Sequence, residues 1–200
     1  MTEDYLCYYH LETYLFEDVH RRFHEHGKLD AFDLFSIIIW KANRAKSKLA
    51  RRLIAKSGSL EAAASEFTSA LSKAESAEAR LLLAMKNWGF YLPMASAILT
   101  VLWPEEFTVY DIRVCNGLND FHSLAQATAE GVWLEYGRYV EAVRCAVPDA
   151  LSLRDKDRFL WGRSAAGQLR RDIARGFSRD DTPVASQGGS TRSKSESNAI

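Results

Sequence analysis

Leu11, Leu15, Val19 and Phe23 recur at steps of four, which lays them along one face of an α-helix. Helical patterning of this kind continues through the chain, punctuated by glycine and proline. A first helix is expected over residues 5–25 and stops at Gly27. Asp30 is a suitable N-cap for a helix over 31–55, whose apolar residues include Leu34, Phe35, Ile38 and Ile39. Ser57, Gly58 and Ser59 break that helix and start an alanine-rich one over 60–73. A further helix over 77–87 leads to Gly89, which sits where a C-cap glycine belongs. Pro93 suits the first turn of a helix over 94–102 that stops before Pro104. Residues 107–110 read as short and extended, and Asp111 opens a helix toward Leu118. Helices over 131–146 and 155–175 complete the pattern. No run alternates with period two for long, so the fold class is all-α.

The chain has 200 residues, 47% hydrophobic and 26% charged. That composition supports a packed core and argues against global disorder. Residues 178–200 are rich in Ser, Gly, Asp, Arg and Thr and are expected to form a disordered tail, which leaves one folded domain over 1–177. Cys7, Cys115 and Cys145 are odd in number and lack CxxC spacing. They argue against a disulfide scaffold, a zinc ribbon and a four-cysteine iron–sulfur cluster. The acidic N-terminus has no signal-peptide pattern, and apolar runs such as 35–40 are far too short to span a membrane. A soluble, cytoplasmic, monomeric protein without metal or organic cofactor is the expectation.

Lys plus Arg and Asp plus Glu both number 26, a formal net charge of zero. Taken whole, that balance argues against a nucleic-acid partner. Its distribution is uneven. Residues 1–33 hold Glu3, Asp4, Glu12, Glu17, Asp18, Glu25, Asp30 and Asp33. Residues 41–56 hold Lys41, Arg44, Lys46, Lys48, Arg51, Arg52 and Lys56 with no acid, and 154–175 is also basic on balance. A basic helical run can neutralise phosphates; it can equally be a solvated face. Trp40, beside Lys41 and Arg44, suits base stacking or core packing.

The most specific stretch is Gly89-Phe90-Tyr91-Leu92-Pro93-Met94-Ala95-Ser96, a tight hairpin over 89–92 that feeds a helix. Ala95, Ser96 and Ala97 permit close approach to a neighbour. Free backbone N–H groups and the positive dipole end make such a helix start a phosphate site. Phe107-Thr108-Val109-Tyr110-Asp111-Ile112-Arg113 follows, with Asp111 eighteen residues after Pro93.

Together these two stretches resemble the helix–hairpin–helix DNA glycosylase superfamily. The resemblance is strong over about residues 80–118. It is weaker over 40–44 and 154–161, which look like flanking segments of a small bacterial branch. It implies a compact helical glycosylase-like fold, double-stranded DNA with a modified base as partner, and a flipped-out target base. It also implies that Asp111 is the catalytic aspartate and that Gly89, Tyr91 and Pro93 meet the DNA backbone. Some small glycosylases of this kind serve antiphage defence by excising glucosylated hydroxymethylcytosine. The chain departs from the family in three ways. Pro93 stands where bifunctional members carry the lysine that forms a Schiff base, so a strand-cleaving step is not expected. Tyr91 replaces the second glycine of the hairpin, and the iron–sulfur cysteines of some members are absent.

The chemistry follows from the bond. Positive charge builds on the deoxyribose as the base departs, and an ionised carboxylate stabilises it or orients the attacking water. Asp111 also suits the N-cap of its helix, and both roles can hold. Arg113 suits a flanking phosphate or a surface ion pair; Trp40, Trp88 and Trp161 suit a base pocket or the core. His20 and His24 share a helical face but lack HExxH, which favours a polar face over a zinc site. Glu105 and Glu106 read as a loop. The expectation is a monofunctional glycosylase that leaves an abasic site. The alternatives are repair of damaged bases, or a helix–hairpin–helix DNA-binding module without catalysis.

Overall fold

The structure is a computed structural model that describes residues 5–127, 131–147 and 150–177; the expected tail lies outside the described residues. The architecture is all-α, and no strand occurs among the described residues. In chain order the helices are α1 (Leu6–Tyr9), α2 (Leu11–Tyr14), α3 (His20–His26), α4 (Ala31–Ala42), α5 (Lys46–Ser57), α6 (Leu60–Lys73), α7 (Ala77–Leu82), α8 (Leu92–Leu102), α9 (Ile112–Leu118), α10 (Val132–Cys145) and α11 (Leu153–Ala174).

Two expected helices are broken. The run expected over 5–25 is interrupted at His10 and widens into a π-type turn, Leu15–Val19, before continuing as α3. The run expected over 31–55 breaks after Ala42, where a 3₁₀ turn, Asn43–Ala45, redirects the chain into α5. The backbone leaves the helix at Ala42, with φ −158° and ψ 78°; beyond it the Asn43 side-chain carbonyl accepts from Lys46 Nζ at 2.7 Å. The caps explain where other helices begin. The Asp30, Ser59, Ser76 and Ser152 side chains each accept an N–H from the first turn they precede.

Helix α8 is the centre of the molecule, with all of its residues from Met94 to Leu102 buried. Its apolar content explains the burial; its polar residues are satisfied locally, Thr100 donating to the Ser96 carbonyl at 2.7 Å. At its C-terminal end the His20 and His24 rings contact the carbonyls of Val101 and Leu102 at 2.9 and 2.7 Å. These are among the carbonyls a helix end leaves without an internal partner. The two histidines thus cap a buried helix, and the described residues hold no metal-binding cluster.

After α8 the chain turns and runs extended through 107–110 with no neighbouring strand. Side chains supply the missing ladder. Ser96 Oγ accepts from the Tyr110 amide at 2.9 Å. The Tyr136 hydroxyl donates to the Thr108 carbonyl at 2.6 Å and accepts from the Thr108 amide at 3.1 Å. The Tyr139 hydroxyl donates to the Val109 carbonyl at 2.9 Å. Burial pushes both tyrosine hydroxyls well above their usual range, which keeps them protonated as donors.

Tyr136→Phe keeps the ring and removes the hydroxyl, which strands a buried N–H and C=O at Thr108. We expect a loss of about 1–3 kcal/mol in urea denaturation. A variant as stable as the parent would show that the extended run is held by packing alone.

Candidate functional site

The extended run 107–110 ends at Asp111, which N-caps α9 by accepting the Arg113 amide on Oδ1 at 2.9 Å. Its other oxygen accepts from Lys41 Nζ at 2.7 Å. Both partners are largely covered, Lys41 at 12% and Asp111 at 23% side-chain exposure. Lys41 reaches this position from the last turn of α4, just before the chain breaks toward α5. The pair is therefore an ion pair at a cavity wall and not a solvated contact.

The cavity measures about 520 Å³, within the range typical of small-molecule sites. Trp40 and Lys41 of α4 form one side, Val109 and Asp111 a second, and Arg154, Asp157, Arg158 and Trp161 of α11 a third. Glu12 of α2 stands at the remaining edge. Helices α9 and α11 pack against each other with Gly117 facing Leu160, where a Cβ would stand 3.4 Å from the Leu160 carbonyl oxygen. That packing brings Asp111 and the α11 residues to one cavity.

Arg154 organises the α11 wall. Its guanidinium donates to Asp157 Oδ2, and to Glu12 Oε1 at 2.6 Å. The guanidinium also lies over the Phe16 and Trp40 rings, 5.0 and 5.2 Å from their centroids, which fixes its plane. Burial pushes the Asp157 carboxyl up to about 6, against the opposing pull of Arg154, the Val109 amide and Lys41. Arg113 lies outside the lining but adjacent to it, its guanidinium 5.2 Å from the Trp161 ring centroid and donating to Gln168 at 2.9 Å.

The expected site residues thus divide. Trp40, Lys41, Asp111 and Trp161 converge on one cavity, with Arg113 at Trp161. Trp88 does not line it. It is buried beside Phe67 at 5.2 Å, under the Lys56 ammonium; an indole in that packing is core. Arg44 is exposed on the 3₁₀ turn. The hairpin forms a separate surface. Gly89 takes a positive φ of 65°, which glycine adopts without strain. Its carbonyl accepts from Arg52 at 2.7 Å. Tyr91 is 74% exposed, and Pro93 lies in the first turn of α8. Glu106 pairs with Arg80 at 3.1 Å, away from the cavity.

Glu12 is a cavity residue that no motif pointed to, and Val109, Arg154, Asp157 and Arg158 lie within stretches of the resemblance without having been singled out as site residues. Arg154, Asp157, Arg158 and Trp161 fall at helical spacing, so a shared face was readable there. Glu12 was not, because it arrives from the other end of the chain. No family model, curated protein or solved structure matches the chain.

A carboxyl that titrates near 3.9 unfolded and near 6 folded binds its proton more tightly in the native state. Its effect on stability is greatest below about pH 4, falls as pH rises toward about 6, and is level above. Asp157→Asn removes this titration. We expect the stability of the parent minus that of the variant to shrink between about pH 4 and pH 7, by on the order of 2 kcal/mol. Urea denaturation across that range measures it; a difference that grows with pH would mean that Arg154 outweighs burial.

Proposed function

We propose that the protein is a monofunctional DNA glycosylase: it takes a modified base out of the duplex, hydrolyses its N-glycosidic bond and leaves an abasic site. One observation carries this reading. The aspartate at the position expected for the catalytic group stands in the wall of an aromatic cavity, held by Lys41 Nζ at 2.7 Å and by the amide of Arg113. A preset carboxylate at such a wall is what a developing sugar cation requires, since it needs no reorganisation as charge appears. Trp40 and Trp161 supply apolar surface for the extruded base, whose unstacking costs a few kcal/mol.

Hydrolysis is favoured over a lyase step on the residues present. The cavity's one lysine, Lys41, is engaged with Asp111, and an ammonium in an ion pair has no free lone pair for attack on the sugar. The hairpin at Gly89, Tyr91 and Pro93 anchors the DNA backbone, with Arg44 and the exposed face of α5 adding electrostatic grip. On this reading the protein acts as a cytoplasmic monomer on double-stranded DNA. The cavity volume also admits a base enlarged by a sugar, which accords with glucosylated hydroxymethylcytosine in phage DNA as a target; repair of damaged bases uses the same chemistry. A second reading rests on the cap. Asp111 already serves α9 and Lys41, so a DNA-binding module without catalysis could use it for structure alone.

The two readings separate on a panel of duplexes carrying oxidised, alkylated and hypermodified bases, assayed for abasic sites. We expect one class to be converted, and Asp111→Asn to lower that rate by at least about a hundredfold while retaining DNA binding. Unchanged conversion in the variant would sink the assigned role of Asp111. Salt-dependent binding with no abasic site on any duplex would favour the non-catalytic module.

A further inference from the structure

The edge of the cavity is closed by a contact that the proposed chemistry does not use. Glu12 Oε1 accepts from Arg154 Nη2 at 2.6 Å and lies 3.3 Å from Arg158 Nε. One carboxylate oxygen therefore bridges two guanidinium groups. Of the three carboxylates lining the cavity, Glu12 is the most exposed, at 36% against 23% for Asp111 and 3% for Asp157. It is also the only one carried on α2, a four-residue helix between the break at His10 and the π-type turn at 15–19. Short, irregular segments of this kind open at lower cost than regular helices.

At 15% side-chain exposure Arg154 is more deeply buried than its partner, whereas Arg158 is exposed. Arg154 is fixed by Phe16, Trp40 and Asp157, and Arg158 is also held by Asp155 at 3.1 Å. The Arg154 Nε–H is closed off from solvent and has no acceptor in the structure. An unsatisfied buried guanidinium N–H is a donor that a group richer in oxygens than a carboxylate can serve. The cavity lining carries three cationic side chains, Lys41, Arg154 and Arg158, and three carboxyl groups, Glu12, Asp111 and Asp157. Displacing Glu12 removes one carboxylate from that lining and leaves the guanidinium edge short of it beside the two indoles, Trp40 and Trp161.

We infer that Glu12 holds the place of a phosphate: the cavity takes a nucleotide whose base lies toward Trp40 and Trp161 and whose phosphate displaces the Glu12 carboxylate from Arg154 and Arg158. Planar guanidinium groups bind phosphate oxygens in pairs, and a base with its phosphate matches an aromatic wall beside a cationic edge. The inference deepens the glycosylase reading and rests on it for the nucleotide being part of DNA. Glu12 then acts as an internal competitor that keeps the empty cavity neutral and must swing out as a nucleotide enters.

The test is calorimetric titration of the full chain with thymidine 5′-monophosphate, thymidine and inorganic phosphate at low salt. Glu12→Gln is expected to bind the monophosphate about tenfold more tightly than the parent and to bind thymidine within about twofold. Arg158→Ala, at an exposed side chain, is expected to weaken monophosphate binding about tenfold without changing the melting temperature. Absence of monophosphate binding in both the parent and Glu12→Gln overturns the inference. So does an equal gain for thymidine. An equal gain for inorganic phosphate overturns the nucleotide assignment. A Glu12-dependent gain with no abasic site on any DNA removes the glycosylase reading and leaves the subsite; abasic sites without that gain do the reverse.

Discussion

An extended backbone in the middle of a helical protein has a hydrogen-bonding problem, and the way residues 107–110 solve it sets the rest of the site. Their amides and carbonyls are buried with no strand beside them, and an unpaired buried backbone group costs as much as a lost hydrogen bond. Ser96 from α8 and Tyr136 and Tyr139 from α10 provide the partners. The extended run is thus fastened to two different helices by side-chain hydroxyls, and its direction is fixed at several points along its length. Asp111 is the first residue beyond this fastening and is fixed in turn by its own cap of α9. A catalytic or binding carboxylate placed this way owes its position to the core and not to a surface loop.

The same economy governs the charges. Read along the chain, an acidic first segment opposes two basic ones and the sum is zero. In space these segments close on each other. Glu12 meets Arg154 and Arg158, and Lys41 meets Asp111. Asp33 is buried under Arg22 at 2.7 Å with the Tyr14 hydroxyl donating to it at 2.6 Å. Part of the balance is therefore internal neutralisation at partly buried pairs, which need one another because a lone buried charge is far costlier than a paired one. Exposed basic side chains remain on two stretches, Arg44 with α5 and the C-terminal part of α11 at Arg163, Arg170 and Arg171. Lys41 is withdrawn from the first of these by its pairing with Asp111.

The helical class was legible because apolar spacing and capping residues agree over long stretches, as with Asp30 before α4 and Gly89 at the hairpin. The breaks were not. Apolar periodicity runs unbroken through Ala42 and through Leu15–Val19, and what interrupts the helix is a backbone turn at Ala42 in one case and a widened turn in the other. For the cavity, Asp111 was readable from its offset to the hairpin, and Trp161 from its aromatic character near basic residues. Glu12 was invisible, since nothing in a sequence says that α2 and α11 meet. Trp88 misled for the converse reason: a tryptophan beside a hairpin glycine has the same one-letter context whether it faces ligand or packs on Phe67.

Two aspartates share the cavity, and their surroundings differ. Asp157 is almost wholly buried, and burial raises its carboxyl to about 6 even with Arg154 bound to it. Asp111 keeps partial access to the cavity and is held at a helix start by Lys41 and the Arg113 amide. On the proposed reading, the carboxylate that meets the sugar has to face the cavity, and Asp111 is the more accessible of the two. Asp157 instead anchors the guanidinium that forms the opposite wall, and its burial is the cost of fixing Arg154 between two rings. Pairs of carboxylates whose environments differ in this way commonly take different roles in one site. The difference arises where α9 meets α11, with Gly117 against Leu160, since that packing brings one carboxyl from the start of α9 and one from within α11 to the same cavity.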